Sequence, residues 1–352
     1  MRLRLVLSTL VLIALLAVPG ASISDPARTF LMTAFHLSAP EVARLDRGEV
    51  LSRTLDVKNR RELATLGIVR IQTTPSAYVE RLADIVTFKR TGDVLQVGTF
   101  SSPAQAADIA PLTIDDAEVT RLRECRVDDC EVRLSATAIE RVQREIDWQA
   151  ADASRKATQL VLQLLVDYVG RYRESGTSAT MEYADRAPRL NVGHEFASLV
   201  DADPVTWNYA PQLRRHLLEF PASAAPKTTD FVYWSKELVR GRPVVSITHV
   251  AIASADEDSP IAYAIGSKQI YAMHYFDASL GLTLLVPDRL ATSPATYVVY
   301  LNRSRIDLFD GVFGGITRRI VAGKARGVVA EQLQRLQGVL AGSSSSVKRP
   351  AR

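Results

Sequence analysis

The 352-residue chain lacks most of the signatures that assign a function from sequence. It has two cysteines, Cys125 and Cys130, too few for a disulfide-dense scaffold or a four-thiolate zinc site. There is no Cys-x-x-Cys pair, phosphate loop, dinucleotide fingerprint or haem motif, and no Gly-x-Ser-x-Gly elbow frames a serine. His36, His194 and His216 are scattered without the spacing of metal ligands. These absences predict a chain with no metal and no cofactor. No internal repeat is present. After Leu5–Val18 no second apolar run is long enough to suggest a membrane span.

A basic field is also missing. The formal net charge is +4, but Arg2, Arg4, Lys348, Arg349 and Arg352 all sit in the two terminal segments, neither of which holds an acid. The body between them is close to neutral, which argues against nucleic acid as a partner. Hydrophobic residues make up 47% and charged residues 23%, the balance of a globular chain with a real core.

The first twenty-odd residues carry the clearest signal. Arg2 and Arg4 precede the apolar run Leu5–Val18, and Pro19, Gly20, Ala21 and Ser22 follow it. That order is a charged, an apolar and a small-residue region, the pattern of a secretory signal peptide over residues 1–21. The expected location is therefore exported, periplasmic or extracellular. An oxidising compartment in turn predicts a disulfide between Cys125 and Cys130, closed over Arg-Val-Asp-Asp and contributing about 2 kcal/mol by loop closure.

The chain changes character near residue 150. Residues 28–150 read as an N-terminal α+β region. Ser38-Ala-Pro-Glu41 is a capping box that starts a helix, and 50–57, 63–72 and 94–100 read as strands. Helices are expected over 76–84, over 116–124 with Asp115 as N-cap, and from Ser135 to Trp148, with a short strand at 131–134 between the last two.

Residues 151–342 are more regular. A long helix over 154–173 precedes a short strand at 180–183 and helices over 192–200 and 211–219. Strands follow over 231–239, 243–254, 261–276, 280–286 and 296–302, with turns at 241–242, 277–281 and 287–294. After a turn over 309–315, a helix over 315–340 closes the unit, with Val329, Leu333, Leu336 and Leu340 on one face. Residues 343–352 are serine-rich and polar, composed as a disordered tail. The expected class is α+β: an antiparallel sheet packed around a long C-terminal helix.

This element order, closed by that helix, resembles the helix-grip arrangement of START-like lipid-transfer domains. The resemblance covers a little over half the chain and implies a curved sheet enclosing an apolar cavity for a lipid, sterol or similar molecule. It brings no catalytic residues with it.

The stretch Tyr263–Asp277 concentrates polar and aromatic side chains, the mix that lines ligand pockets. Alternation along one strand puts Lys268, Ile270, Ala272, His274 and Phe276 on one face, and Ser267, Gln269, Tyr271, Met273, Tyr275 and Asp277 on the other. Gly266 marks a bulge or a close backbone approach. Lys268, Tyr271, His274, Tyr275 and Asp277, with His249 on the preceding strand, are the candidate ligand-binding residues. Arg303, after the last strand, joins them as a possible anion contact, as does Arg305. The leading expectation is a non-catalytic protein that binds an apolar small molecule or lipid. Two alternatives stand beside it. One is an envelope hydrolase in which His249 or His274 works with Asp277 and with Ser267 or Lys268. The other is an envelope scaffold with a broad apolar contact surface.

Overall fold

The computed structural model describes residues 25–90, 92–222, 227–309 and 314–344. The expected signal segment at 1–21 lies outside these residues, as do most of the turn over 309–315 and the tail from residue 345 on.

Two short helices come first, α1 (Pro26–Ala34) and α2 (Ala39–Asp46). The predicted capping box at α2 is present: the Ser38 amide donates to Glu41 Oε2 at 2.8 Å. Strands β1 (Leu51–Leu55) and β2 (Glu62–Ile71) pair antiparallel, and α3 (Pro75–Ala83) and α4 (Ile85–Phe88) lead into β3 (Val94–Phe100). A helical stretch follows: α5 (Ala106–Ile109), α6 (Asp116–Glu124), α7 (Ala136–Glu145) and the long α8 (Ala153–Ser175). Cys125 and Cys130 are joined in a disulfide directly after α6. A small pair, β4 (Glu182–Tyr183) and β5 (Leu190–Asn191), precedes α9 (Val192–Asp201), α10 (Pro204–Trp207) and α11 (Pro211–Glu219). The remaining strands are β6 (Thr228–Val239), β7 (Arg242–Ser254), β8 (Tyr263–Ala272), β9 (Phe276–Pro287) and β10 (Thr296–Ile306), and α12 (Gly314–Ser344) ends the described chain.

Eight strands form one antiparallel sheet in the order β1-β2-β10-β9-β8-β7-β6-β3. The meander from β6 to β10 is the one the short connections imply. Strands from the first half complete it on both sides: β2 pairs with β10, Val69 opposite Val298, and β3 pairs with β6, Gly98 opposite Trp234. The regions expected at 28–150 and 151–342 thus share a single sheet, because the edges of the meander need strand partners that the first half supplies.

One face of the sheet is buried under helices. Leu66, Val299, Leu282 and Ala251 pack there against side chains of α1, α2, α9 and α11, while Trp234, Ile247 and Tyr271 pack against those of α6, α7 and α8. The opposite face is covered only in part. Val69, Val298, Leu285 and Ile265 meet Tyr78 and Leu82 of α3 and Ile85 of α4. The α12 helix lies over the β1–β2 side of this face, with Val329 and Leu333 buried. A Cβ added to Gly67 of β2 would fall 2.5 Å from Val329 and 2.6 Å from Leu333, so the close seat of α12 requires glycine there. Ser52 Oγ donates to Arg326 O, and Gln337 Nε2 donates to Gly48 O and Arg70 O, fixing the same helix to β1 and β2. The architecture is α+β and helix-grip-like: a large antiparallel sheet, a long C-terminal helix across one face and an N-terminal α/β region. The sheet does not wrap α12 centrally; the helix sits toward one edge.

Several local expectations change. Residues 131–134 form no strand; their backbone is tied singly instead, the Arg133 amide to Met273 O and the Ala184 amide to Leu134 O. Asp115 precedes α6 but makes no side-chain cap bond, and its carboxylate accepts from Lys236 Nζ at 2.5 Å. The strand expected over 261–276 is two strands separated by a tight turn. Tyr275 has φ 65°, and the Phe276 amide donates to His274 O. Residues 277–281, expected as a turn, are therefore the start of β9. Ser343 and Ser344, expected in the tail, still belong to α12.

Candidate functional site

Alternation along β8 breaks at a bulge. Ile247 pairs with Tyr271 and Thr248 with Gln269, leaving Ile270 as the extra residue. Lys268 and Tyr271, expected on opposite faces, therefore both turn into the helix-covered layer. Ser267 and Gln269 turn the other way. Gly266 allows α11 to approach: a Cβ there would lie 2.5 Å from Leu217 Cδ1.

Under the helices, His249 is wholly buried and belongs to a polar cluster. Its Nε2 and that of His216 both approach Asp230 Oδ1, at 2.9 and 2.8 Å. With an Nε2–H on each ring, the carboxylate accepts both bonds and His249 Nδ1 accepts the Tyr172 hydroxyl at 2.8 Å. Burial lowers the His249 pKa, against the pull of Asp230. Burial pushes the Asp230 carboxyl up, but the two histidine hydrogen bonds outweigh it and hold the group at about 2. Lys268 is close by in the same layer. Its Nζ donates to Thr177 Oγ1 at 2.9 Å and Leu217 O at 3.0 Å, and burial lowers its pKa to about 7.

The other candidates lie elsewhere. His274 is held by Glu118 at 2.9 Å and by Glu131 O at 2.9 Å. Glu118 also takes Arg242; burial raises its pKa, yet these partners bring it down to about 2. Asp277 pairs with Arg133 at 2.7 Å and Arg61 at 2.8 Å, and burial still raises its pKa against both. Arg133 bonds Asp307 as well, so this end of the sheet carries an ion network rather than an open site. Tyr275 sits at the turn with Arg242 over its ring. The Tyr271 ring packs against Tyr183, and its hydroxyl is buried without a hydrogen-bond partner among the described residues. Arg303 is paired with buried Glu62, and Arg305 with Glu195. The structure brings His249 and Lys268 into one layer but gives His249 and His274 separate acidic partners. Ser267 is on the face opposite Lys268. The hydrolase constellation is not assembled, because its members face different ways or are already satisfied in ion pairs.

A different set of residues converges on the sparsely covered face. Tyr300, Asn302 and Ser304 of β10, Ser279, Gly281 and Thr283 of β9, Ser267 and Gln269 of β8, Ser246 and Thr248 of β7, and Tyr233, Ser235 and Glu237 of β6 all point there. At one end of this strip are Tyr78, Leu82 and Ile85. At the other, Leu63, Ile306 and Phe309 pack with Val321, Ala322 and Ala325 of α12. Between these apolar ends the strip is polar, and Ser246, Ser267, Gln269, Ser279, Tyr300 and Asn302 are only half-buried. Some members bond one another: Ser279 with Ser304 at 2.8 Å, and Ser235 with Glu237 at 2.6 Å. Lys89, the cap residue after α4, closes the β6 side, bonded to Glu237 at 2.6 Å and over the Tyr233 ring. Gln269 Oε1 is buried with no hydrogen-bond partner among the described residues. A Cβ on Gly281 would lie 3.3 Å from Ser267 Cβ and 3.6 Å from Tyr300 Cε2, so glycine keeps the floor low there. On α12, Val321, Ala325, Val328 and Gln332 recur at helical spacing on the flank away from Arg326 and Gln337, which hold β1 and β2. This polar strip, with the largely apolar flank of α12 along one side and α3 and α4 at one end, is termed the trough. The sequence reading missed it because each strand contributes only two or three small polar residues, and only pairing collects them.

No family model matches this sequence, and no curated protein matches it. Several solved structures align with part of the chain. The crystal structure of TTHA0849 from Thermus thermophilus aligns at 15% identity over 44% of this chain and 92% of that one, with a TM-score of 0.26. Ara h 8.0201 aligns at 14% identity over 44% of this chain and 91% of its own, with a TM-score of 0.18. Likenesses this coarse carry no argument about ligand or activity.

Proposed function

We propose that the protein is exported and binds a small, neutral amphipathic molecule in the trough between α12 and the sheet. The single observation behind this reading is the half-buried polar strip of Ser246, Ser267, Gln269, Tyr300 and Asn302, flanked by packed apolar ends and carrying the unpartnered Gln269 Oε1. A buried acceptor left without a donor costs roughly 1–3 kcal/mol, so a ligand hydroxyl or amide that donates to it would recover part of that cost. The hydroxyl and amide groups of the floor orient the polar side of the molecule, and Val321, Ala325 and Val328 of α12 cover its apolar side. The floor is thus polar where the family resemblance implied an apolar cavity. Export is supported by the residue pattern of the first 21 positions and by the Cys125–Cys130 disulfide.

The test is native mass spectrometry of the full chain after gentle purification, with Nile red titration as a second readout. The reading predicts a co-purified small molecule, or saturable Nile red fluorescence, that is lost in Ser267→Phe while the unfolding midpoint stays within a few degrees. Binding unchanged by Ser267→Phe, or no bound molecule and no saturable Nile red signal in the parent protein, contradicts it.

A further inference from the structure

We propose that His216, Asp230 and His249 form a binding site for one divalent transition-metal ion of the zinc type. This site is on the helix-covered face and is independent of the trough. One ligand atom from each of the three residues lies within 4.8 Å of the others. The two histidine Nε2 atoms converge on the same carboxylate oxygen, Asp230 Oδ1, at 2.8 and 2.9 Å. Both rings therefore present Nε2 to the same carboxylate oxygen, so that an ion replacing the two bridging protons would have all three ligand atoms around it. Zinc bonds of about 2.0–2.2 Å to nitrogen and oxygen place tetrahedral ligands about 3.3 Å apart, so each histidine Nε2 needs to move only about half an ångström away from Asp230 Oδ1, while the two Nε2 atoms already lie within 4.8 Å of each other.

The residues stand on three different elements: His216 on α11, Asp230 on β6 and His249 on β7. Both rings are buried and held by packing. The Phe220 ring lies 4.5 Å from that of His249 and 5.6 Å from that of His216. The Tyr172 hydroxyl is 2.8 Å from His249 Nδ1, where it can accept from Nδ1–H once Nε2 binds the ion, the outer contact that fixes a ligating imidazole. Asp230 is the exposed member, its side chain 29% accessible. It gives the group the slack to widen and leaves the fourth position of the ion open to water, as in sites with three protein ligands. Lys268, a buried cation of this layer, has its Nζ bonded to Thr177 and Leu217 rather than to Asp230.

The experiment uses the full chain, stripped with a chelator and titrated with Co²⁺ as the spectroscopic probe. The expected result is a visible d–d band that saturates at one equivalent and is displaced by Zn²⁺. Asp230→Asn, a change at the exposed member, should weaken Co²⁺ binding by at least about tenfold, and His216→Gln by more, since each removes a first ligand where loss of an outer partner alone costs about 10–100-fold. Zn²⁺ should raise the unfolding midpoint of the parent protein and not that of Asp230→Asn, which keeps the test open if His216→Gln does not fold. No d–d band in the parent protein, or binding unchanged in Asp230→Asn, overturns the proposal and leaves a hydrogen-bonded triad only.

Discussion

The two faces of the sheet are built from the same strands and differ in what they carry. On the helix-covered face, residues such as Leu282, Ile247 and Val299 are buried, and nearly every charged group there has a named partner: Lys236 with Asp115, Arg303 with Glu62, His274 with Glu118, Asp277 with Arg133. On the other face the middles of β7, β8, β9 and β10 carry mostly serine, threonine, glycine, asparagine or glutamine, and helices cover only its ends and one side. A face buried along its whole length would carry apolar residues throughout, because each buried methylene contributes about 0.8 kcal/mol, whereas an antiparallel face left in contact with water is ordinarily polar. The polar strip forgoes that stabilisation. Buried ion pairs therefore mark structure on much of one face, and half-buried, mostly small polar groups mark the candidate ligand site on the other.

The largest test of this contrast is Arg133→Met. It removes a buried partner of Asp277 and should destabilise the protein by about 3–5 kcal/mol in urea unfolding, with ligand occupancy of the remaining folded protein unchanged. A loss below about 1 kcal/mol would mean that Arg61 alone satisfies Asp277.

Lys268→Met should act in the opposite direction. The Lys268 pKa is lowered from 10.5 to about 7 in the fold, so the unfolded chain binds the extra proton between those values. Stability of the parent protein accordingly rises with pH from 7 to 10.5 and, for this group, is flat and at its lowest below 7. Lys268→Met should remove that slope and stabilise the protein at pH 6 by about 2 kcal/mol, the charge-burial cost that remains after two hydrogen bonds are lost. Urea midpoints at pH 6, 8 and 10 measure both effects.

The acid limb should be smaller. Asp230, ordinarily at 3.8, and Glu118, at 4.5, are both held at about 2. Depressed carboxyls contribute stability that is complete above their unfolded values and is lost as pH falls toward 2. Asp230→Asn should therefore flatten the stability curve between pH 4 and 2 by about 1–2 kcal/mol. A curve of unchanged shape would show that Asp230 is not held by the two histidines in solution.

Smallest of all is Gln269→Leu on the open face. It removes an unpartnered buried acceptor and should change stability by about 1 kcal/mol or less, in the stabilising direction, while weakening Nile red binding. Equal Nile red affinity would take Gln269 out of the site.

Much of the fold was legible in the sequence. The caps at Ser38 and Ser135, the five-strand meander and the closing helix all follow from local periodicity and end signals. What was not legible depends on distant pairing. Nothing in residues 51–100 says that β1 and β2 extend one side of the meander and β3 the other. The bulge at Ile270 and the left-handed Tyr275 reverse the face of every later residue in Tyr263–Asp277, and one such shift suffices to misassign a strand. His216 stands isolated in the sequence because its partners are 14 and 33 positions away and meet it only when α11 packs on β6 and β7. The richest polar stretch drew attention to Lys268, Tyr271 and Asp277, all three buried in the core. The trough residues are too ordinary one by one to stand out.

The neighbours Ser267 and Lys268 face opposite sides of the sheet, so native mass spectrometry of Ser267→Phe beside Lys268→Met tests the division of labour most directly. The account predicts that Ser267→Phe loses the bound small molecule, or Nile red where none co-purifies, and that Lys268→Met retains it. Retention in Ser267→Phe with loss in Lys268→Met would contradict it and place the ligand on the helix-covered face.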